Sequence, residues 1–431
     1  MARFEIQPPE YPLSHDAFKT ALITGHGRVL VHARNFKDVF DRDEILQAAS
    51  NCLVYDTQVE GFREWWLAQL CEAASVVETV IGWSPADSTK DRSQRAALLK
   101  EFSKMGYQAA LPALYAMCRF EPSIEMIVGC EQLIELDRES GLIHAANQQG
   151  QQLAQDPSAW VTSHLLDYYD DLYGEGRAIE VLAAAGVEHP LIQVYLEKLH
   201  RSEENTQNCF PSAANPIEIE DIATVLEIVR TSTKLHHRLS RWGRQTTLEN
   251  REEVAKLLDS SYPSMVLANA LLILSHTGLP SFDAKHLGLV FHENETVRAY
   301  ACRVFSHHSA SEVRKAGLTL LKRREVEAGI EMLQRSARCE DLPVILSALT
   351  DIHPDEDLHG VGCHLVDLIE TNEAIRDPRI PHFIYETSPC MHCRLKAINA
   401  LMAWKACPSW LLDEASYDGS AEIRSLVKDC S

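Results

Sequence analysis

Asn294-Glu295-Thr296-Val297-Arg298-Ala299-Tyr300-Ala301 is the stretch whose reading decides the fold. Asn294 can cap a helix, because its side-chain oxygen accepts one of the amides left unpaired at a helix start. Val297 and Ala301, four residues apart, then share one face of a 3.6-residue period. Related stretches recur on both sides: Val266-Leu267-Ala268-Asn269-Ala270, Val326-Glu327-Ala328-Gly329-Ile330, Val361-Gly362-Cys363-His364-Leu365, Cys393-Arg394-Leu395-Lys396-Ala397 and Ile423-Arg424-Ser425-Leu426-Val427. Anchored on their first residues, the six copies are separated by 31, 29, 35, 32 and 30 residues, which accommodates two short helices and two turns. In every copy the anchor and the residue four later are apolar, so that face is expected to be buried.

Second amphipathic segments lie between the anchors, at Val313 to Leu321 and Leu342 to Leu349, and supply the other helix of each hairpin. Breaks fall at Gly278-Leu279-Pro280, His353-Pro354-Asp355, Asp377-Pro378 and Ser388-Pro389, residues that end helices or withhold an amide donor. Ser420, before Ala421-Glu422-Ile423-Arg424, repeats the capping chemistry of Asn294.

An acidic or polar lead followed by Val-Arg and a small residue, best seen in Glu295-Thr296-Val297-Arg298-Ala299 and Glu422-Ile423-Arg424-Ser425, resembles the second helix of HEAT repeats of the bilin-lyase type. The resemblance covers about 170 residues, and the copies at Val326 and Val361 lack the Arg. It implies an all-α solenoid of stacked helical hairpins, and it identifies architecture rather than activity.

The first half is less regular. Ala109 to Met117, Ile124 to Leu136 and Ala178 to Ala185 carry helical periodicity, and Asp56 to Leu67 reads as a degenerate copy of the repeat helix. Arg201 to Ile217 is polar, with Pro211 and Pro216, and reads as a linker or long loop. The division is therefore 1–200, a helical domain of degenerate repeats; 201–217, the linker; and 218–431, the repeat solenoid.

A chain of 431 residues with 45% hydrophobic and 24% charged residues is globular rather than disordered. The first ten residues lack the layout of a secretory signal, and the most apolar window, Met265 to Leu274, is far below the roughly 20 residues a bilayer span needs. No membrane association is expected. Twelve cysteines in such a chain read as reduced thiols, and the cytoplasm fits them best. A net charge of −21 favours basic or neutral partners and opposes polyphosphates.

The candidate sites are few. Gly25-His26-Gly27-Arg28 lacks the strand and the Gly-Lys-Ser/Thr ending of a phosphate loop, and Arg28 and Arg34 read as exposed. Cys390-Met391-His392-Cys393 has thiolate spacing for a metal, but a second ligand pair is missing nearby. With only His382 and Cys407 to complete a site, core packing is the reading taken; no metal and no cofactor are expected. His236-His237 and His307-His308 also lack a partner motif, and Asp167-Tyr168-Tyr169-Asp170-Asp171 reads as a surface helix with one buried side.

The densest basic stretch runs from Lys234 to Arg244. Helical spacing would group Lys234, Arg238 and Arg241, with Arg244 beyond them and Trp242 free to stack on a base. It supports a HEAT-like enzyme of the DNA glycosylase type as the alternative function. The main expectation is a non-catalytic scaffold that recognises a protein or peptide on a repeat surface, with Arg298, Arg394 and Arg424 sharing one repeat phase as candidate contacts. Internal ion pairs or cap contacts between repeats are the competing use of those arginines.

Overall fold

The computed structural model describes residues 6–36, 42–83, 88–120, 126–209, 221–259, 261–352 and 357–428. These residues form an all-helical protein, with no strand among them and no helix long and apolar enough to cross a membrane. The chain divides into two compact units that do not follow its order: 9–214 joins 410–431, and 215–409 forms the rest with the first eight residues.

In the unit built on 215–409, five of the six anchors occupy the same role. Val266, Val297, Val326, Val361 and Cys393 are buried, as are Ala270, Ala301, Ile330, Leu365 and Ala397 four residues on. They lie in the helices Ser264–Leu274, Glu295–Ser306, Val326–Leu333, Leu358–Thr371 and Met391–Ala403, and each helix of this row packs on the next. A second row alternates with it. The 3-10 helix Ala284–Phe291 touches Ser311–Lys322, which touches Leu342–Thr350, and Arg379–Thr387 lies between Leu358–Thr371 and Met391–Ala403. Each buried aliphatic side chain contributes about 1.5–3 kcal/mol, so the apolar face of the anchor row supplies much of this unit's stability.

Local chemistry starts the helices as the capping residues predict. Asn294 Oδ1 accepts the Val297 amide at 3.1 Å, and Ser420 Oγ accepts that of Ile423 at 3.3 Å. Asp377-Pro378 precedes Arg379–Thr387, and Gly278 takes a left-handed φ of 73° after the Ser264–Leu274 helix. His353-Pro354-Asp355 lies outside the described residues. Gly243 allows the helix Arg238–Gln245 to cross Ser264–Leu274 at backbone contact, since a Cβ there would sit 2.0 Å from the Ile273 carbonyl oxygen.

The unit built on 9–214 has its own core, centred on the long helix Cys130–Gln155, which packs against Pro190–Cys209. The long helix is broken at Asp137 and Arg138. Two sequence expectations change here. The segment read as a linker from Arg201 continues as helix to Cys209, while 210–217 lies outside the described residues. The degenerate copy at 56–67 is two helices, Thr57–Glu60 and Glu64–Ala73, separated by left-handed Gly61 and Arg63. Of the segment read as helical from Ile124, residues 124–125 lie outside the description and the helix begins at Cys130.

The sixth copy, the helix Ala421–Lys428, belongs to this unit. The Gly419 amide donates to the Gly25 carbonyl at 2.8 Å, and Arg28 Nε pairs with Glu414 Oε1 at 2.9 Å. A Cβ on Gly27 would lie 2.0 Å from the Glu414 carbonyl oxygen. The glycines of Gly25-His26-Gly27-Arg28 therefore permit close chain packing, and Arg28 is a mostly buried ion-pair member rather than an exposed one. Arg34 is exposed.

Candidate functional site

Arg298 and Arg424 make the same local bond. Each sends Nη1 to the carbonyls six and five residues earlier: His292 at 2.9 Å and Glu293 at 3.0 Å, and Asp418 at 2.5 Å and Gly419 at 3.0 Å. The arginine of the Val-Arg motif thus ties down the loop ahead of its own helix. Arg424 also lies over the Trp65 ring at 4.2 Å. Arg394 is fully buried and presents nothing to a partner.

The basic stretch does not form the single helical face expected of it. Lys234 lies in a bend, and the helix starts at Arg238. Asn269, fully buried, fixes that bend: its Oδ1 accepts the His236 amide at 2.9 Å and its Nδ2 donates to the Lys234 carbonyl at 3.1 Å. Trp242 is only 5% exposed and packs in the core with Leu239, so it is not available to stack on a base. Arg244 donates to His276 Nε2 at 2.8 Å, while Arg238 and Arg241 are exposed. The His307-His308 pair has structural partners: His308 Nε2 accepts the Leu279 amide, and His307 bonds the Ser275 carbonyl.

A polar ridge runs across the anchor row. Arg303 Nε stands 3.4 Å from Glu331 Oε1, and His364 Nε2 lies 3.7 Å from Glu327 and 3.9 Å from Glu331. Gln334 Nε2 reaches His364 Nδ1 and Asp367 Oδ2, each at 3.2 Å, and Lys396 pairs with Glu370 at 3.1 Å. Four successive helices are linked in this way. Burial pushes the Glu331 carboxyl up to about 7 against the opposing pull of Arg303, and it raises Asp367. Burial, with Arg303, pushes His364 down to about 4, leaving it neutral at pH 7. The ridge thus sets four carboxyl groups, Glu327, Glu331, Asp367 and Glu370, against two fixed cations, Arg303 and Lys396.

One turn further along the same helices, four soft or borderline ligand groups meet. The side-chain ligand atoms of His359, Cys390 and Cys393 all lie within 4.8 Å of one another. Cys363 Sγ is 3.7 Å from Cys393 Sγ and 3.6 Å from His359 Nε2. The pair missing from the chain neighbourhood of Cys390 and Cys393 is thus His359 and Cys363, one repeat earlier. His382 stands against Glu386 and Cys407 against the Pro408 carbonyl.

Cys390 caps the helix that carries Cys393, where the hydrogen bond from Cys393 and the amides of His392 and Cys393 draw its thiol down to about 5. The Cys393 hydrogen bond also lowers Cys363, to about 7. Cys393, flanked by both sulfurs, is held well above the ordinary thiol range. Burial opposes charge on all three sulfurs, and at Cys390 and Cys363 the hydrogen bond with Cys393 outweighs it, helped at Cys390 by the amides of the helix start.

No family model, curated protein or solved structure matches this chain.

Proposed function

We propose that this chain is a non-catalytic scaffold of HEAT-like hairpin repeats that recognises a basic segment of a protein partner along the ridge of its anchor row. The observation that carries the reading is the set of Glu327, Glu331, Asp367 and Glu370 on neighbouring helices, two of them, Glu331 and Asp367, raised by burial. A lysine or arginine brought by a partner would offset that desolvation with an opposite charge, and the chain's charge of −21 would steer it there. Stacked hairpins suit this use because each contributes a few surface side chains while its apolar face holds the stack together. None of the ten cysteines whose side chains are described forms a disulfide, which fits a reducing cytoplasm. The nucleic-acid enzyme has less support, since burial of Trp242 leaves the basic stretch without its stacking group.

The test is capture from extract of the source cells, with and without nuclease, using the natural chain and a Glu327→Gln/Glu331→Gln/Asp367→Asn variant. A stoichiometric protein that survives nuclease and is lost from the variant supports the reading. Capture of nucleic acid, lost when Lys234, Arg238 and Arg241 are substituted, overturns it.

A further inference from the structure

We propose that His359, Cys363, Cys390 and Cys393 form a tetrahedral zinc site that staples the helix Leu358–Thr371 to the helix Met391–Ala403. The ligand set is that of a closed Cys3His structural centre, in which every position is filled by protein. Each helix supplies one pair. His359 and Cys363 are four apart and share a helical face, and Cys390 and Cys393 have the two-residue spacing that wraps a metal at a helix start.

The ligand atoms of His359, Cys390 and Cys393 all lie within 4.8 Å of one another, and Cys363, outside that set, reaches it through His359 and Cys393 at distances that suit a shared ion. Two Zn–S bonds of about 2.3 Å at the tetrahedral angle separate their sulfurs by about 3.8 Å, and a sulfur and an imidazole nitrogen by about 3.6 Å. The corresponding separations are 3.7 Å for Cys363 and Cys393 and 3.6 Å for Cys363 and His359 Nε2. A disulfide needs about 2.05 Å between sulfurs, so Cys363 and Cys393 stand as thiols rather than as a disulfide.

The surroundings serve the same geometry. Gly362 lets the incoming loop approach: a Cβ there would meet Ser388 Oγ at 3.3 Å and Cys393 Cβ at 3.8 Å. Ser388, fully buried, accepts the Cys390 amide and fixes the first turn. Both helices begin at the cluster, so two positive helix ends face the net negative charge of a zinc bound by three thiolates. The buried pair Cys118 and Cys130, with sulfurs 3.3 Å apart, is an internal contrast, because His144 beside it bonds the Cys118 carbonyl rather than a sulfur. On binding, Zn²⁺ takes three thiolates and a neutral imidazole, and the thiol protons leave to solvent. No redox change is involved.

The test is metal analysis of the full chain, purified under reducing conditions without chelator, followed by cobalt substitution. One zinc per chain is expected, and cobalt should give thiolate-to-metal charge transfer with the d–d bands of a tetrahedral ion. Cys363→Ser and Cys390→Ser should weaken zinc binding at least tenfold, while Cys118→Ser leaves it unchanged. His359→Cys should keep the metal and shift the cobalt bands, a readout that survives if a serine variant fails to fold. A folded chain that binds neither zinc nor cobalt at equimolar metal, or a stoichiometry and spectrum unchanged in Cys363→Ser and Cys390→Ser, would overturn the proposal.

Discussion

Glu331→Gln should make the protein more stable at pH 8 and change little at pH 4.5. Glu331 is 6% exposed and faces Arg303 at 3.4 Å, His364 at 3.9 Å, and the charges of Glu327 and Asp367. Burial outweighs the cation, so the folded chain holds the carboxyl proton more tightly than the unfolded chain, at about 7 against 4.5. For an acid raised on folding, the unfolded state gives up its proton first. Stability from this group is therefore complete below about 4.5 and falls as pH rises towards about 7. At about 1.4 kcal/mol per unit the loss at pH 8 is at most about 3.5 kcal/mol. Glutamine keeps the shape and carries no charge, so it should recover about 1–3 kcal/mol at pH 8, less the lost attraction to Arg303. Urea unfolding of both chains at the two pH values measures it. A variant less stable than the natural chain at pH 8, or an equal difference at both pH values, would refute the reasoning.

Four further substitutions probe the packing at the start of the anchor row. Gly243→Ala places a Cβ 2.0 Å from the Ile273 carbonyl oxygen and should cost at least about 2 kcal/mol in urea unfolding, whereas Gly288→Ala meets nothing and should cost under about 0.5 kcal/mol. Asn269→Leu removes the partner of the His236 amide and of the Lys234 and Met265 carbonyls, for a loss of about 2–4 kcal/mol and faster hydrogen exchange at His236. Trp242→Ala should cost about 3–5 kcal/mol by opening a core cavity, and should leave retention on a nucleic-acid column unchanged.

The repeat helices were legible because burial imposes a period. An anchor and its fourth neighbour must both be apolar, and all six pairs are buried. The same rule applied to the basic stretch would have placed Trp242 correctly, since Leu239, Trp242 and Gly243 follow the i, i+3, i+4 spacing of a buried face. A density of positive charge masked that face. Shared phase also proved a poor guide to shared role: Arg298 and Arg424 hold loop carbonyls, and Arg394 is buried. Nor does the period assign a copy to a unit, since the helix bearing Ile423 clusters with residues 9–214.

The thiol and imidazole cluster joins residues that are distant along the chain. Stacking brings together residues one repeat apart, so the neighbours of Cys390 and Cys393 are His359 and Cys363 rather than His382 or Cys407. The signal was present as a His-x3-Cys pair on one helix face, one repeat before the Cys-x2-Cys pair. The ridge was hidden similarly, because its links join residues 26 to 37 positions apart.

Hydrogen exchange of the chain alone and with its captured partner tests recognition by the ridge most directly. The account predicts slowed exchange in Val326–Leu333 and Leu358–Thr371, with 234–245 unchanged. Protection confined to 234–245, or absent from both ridge helices, would contradict it.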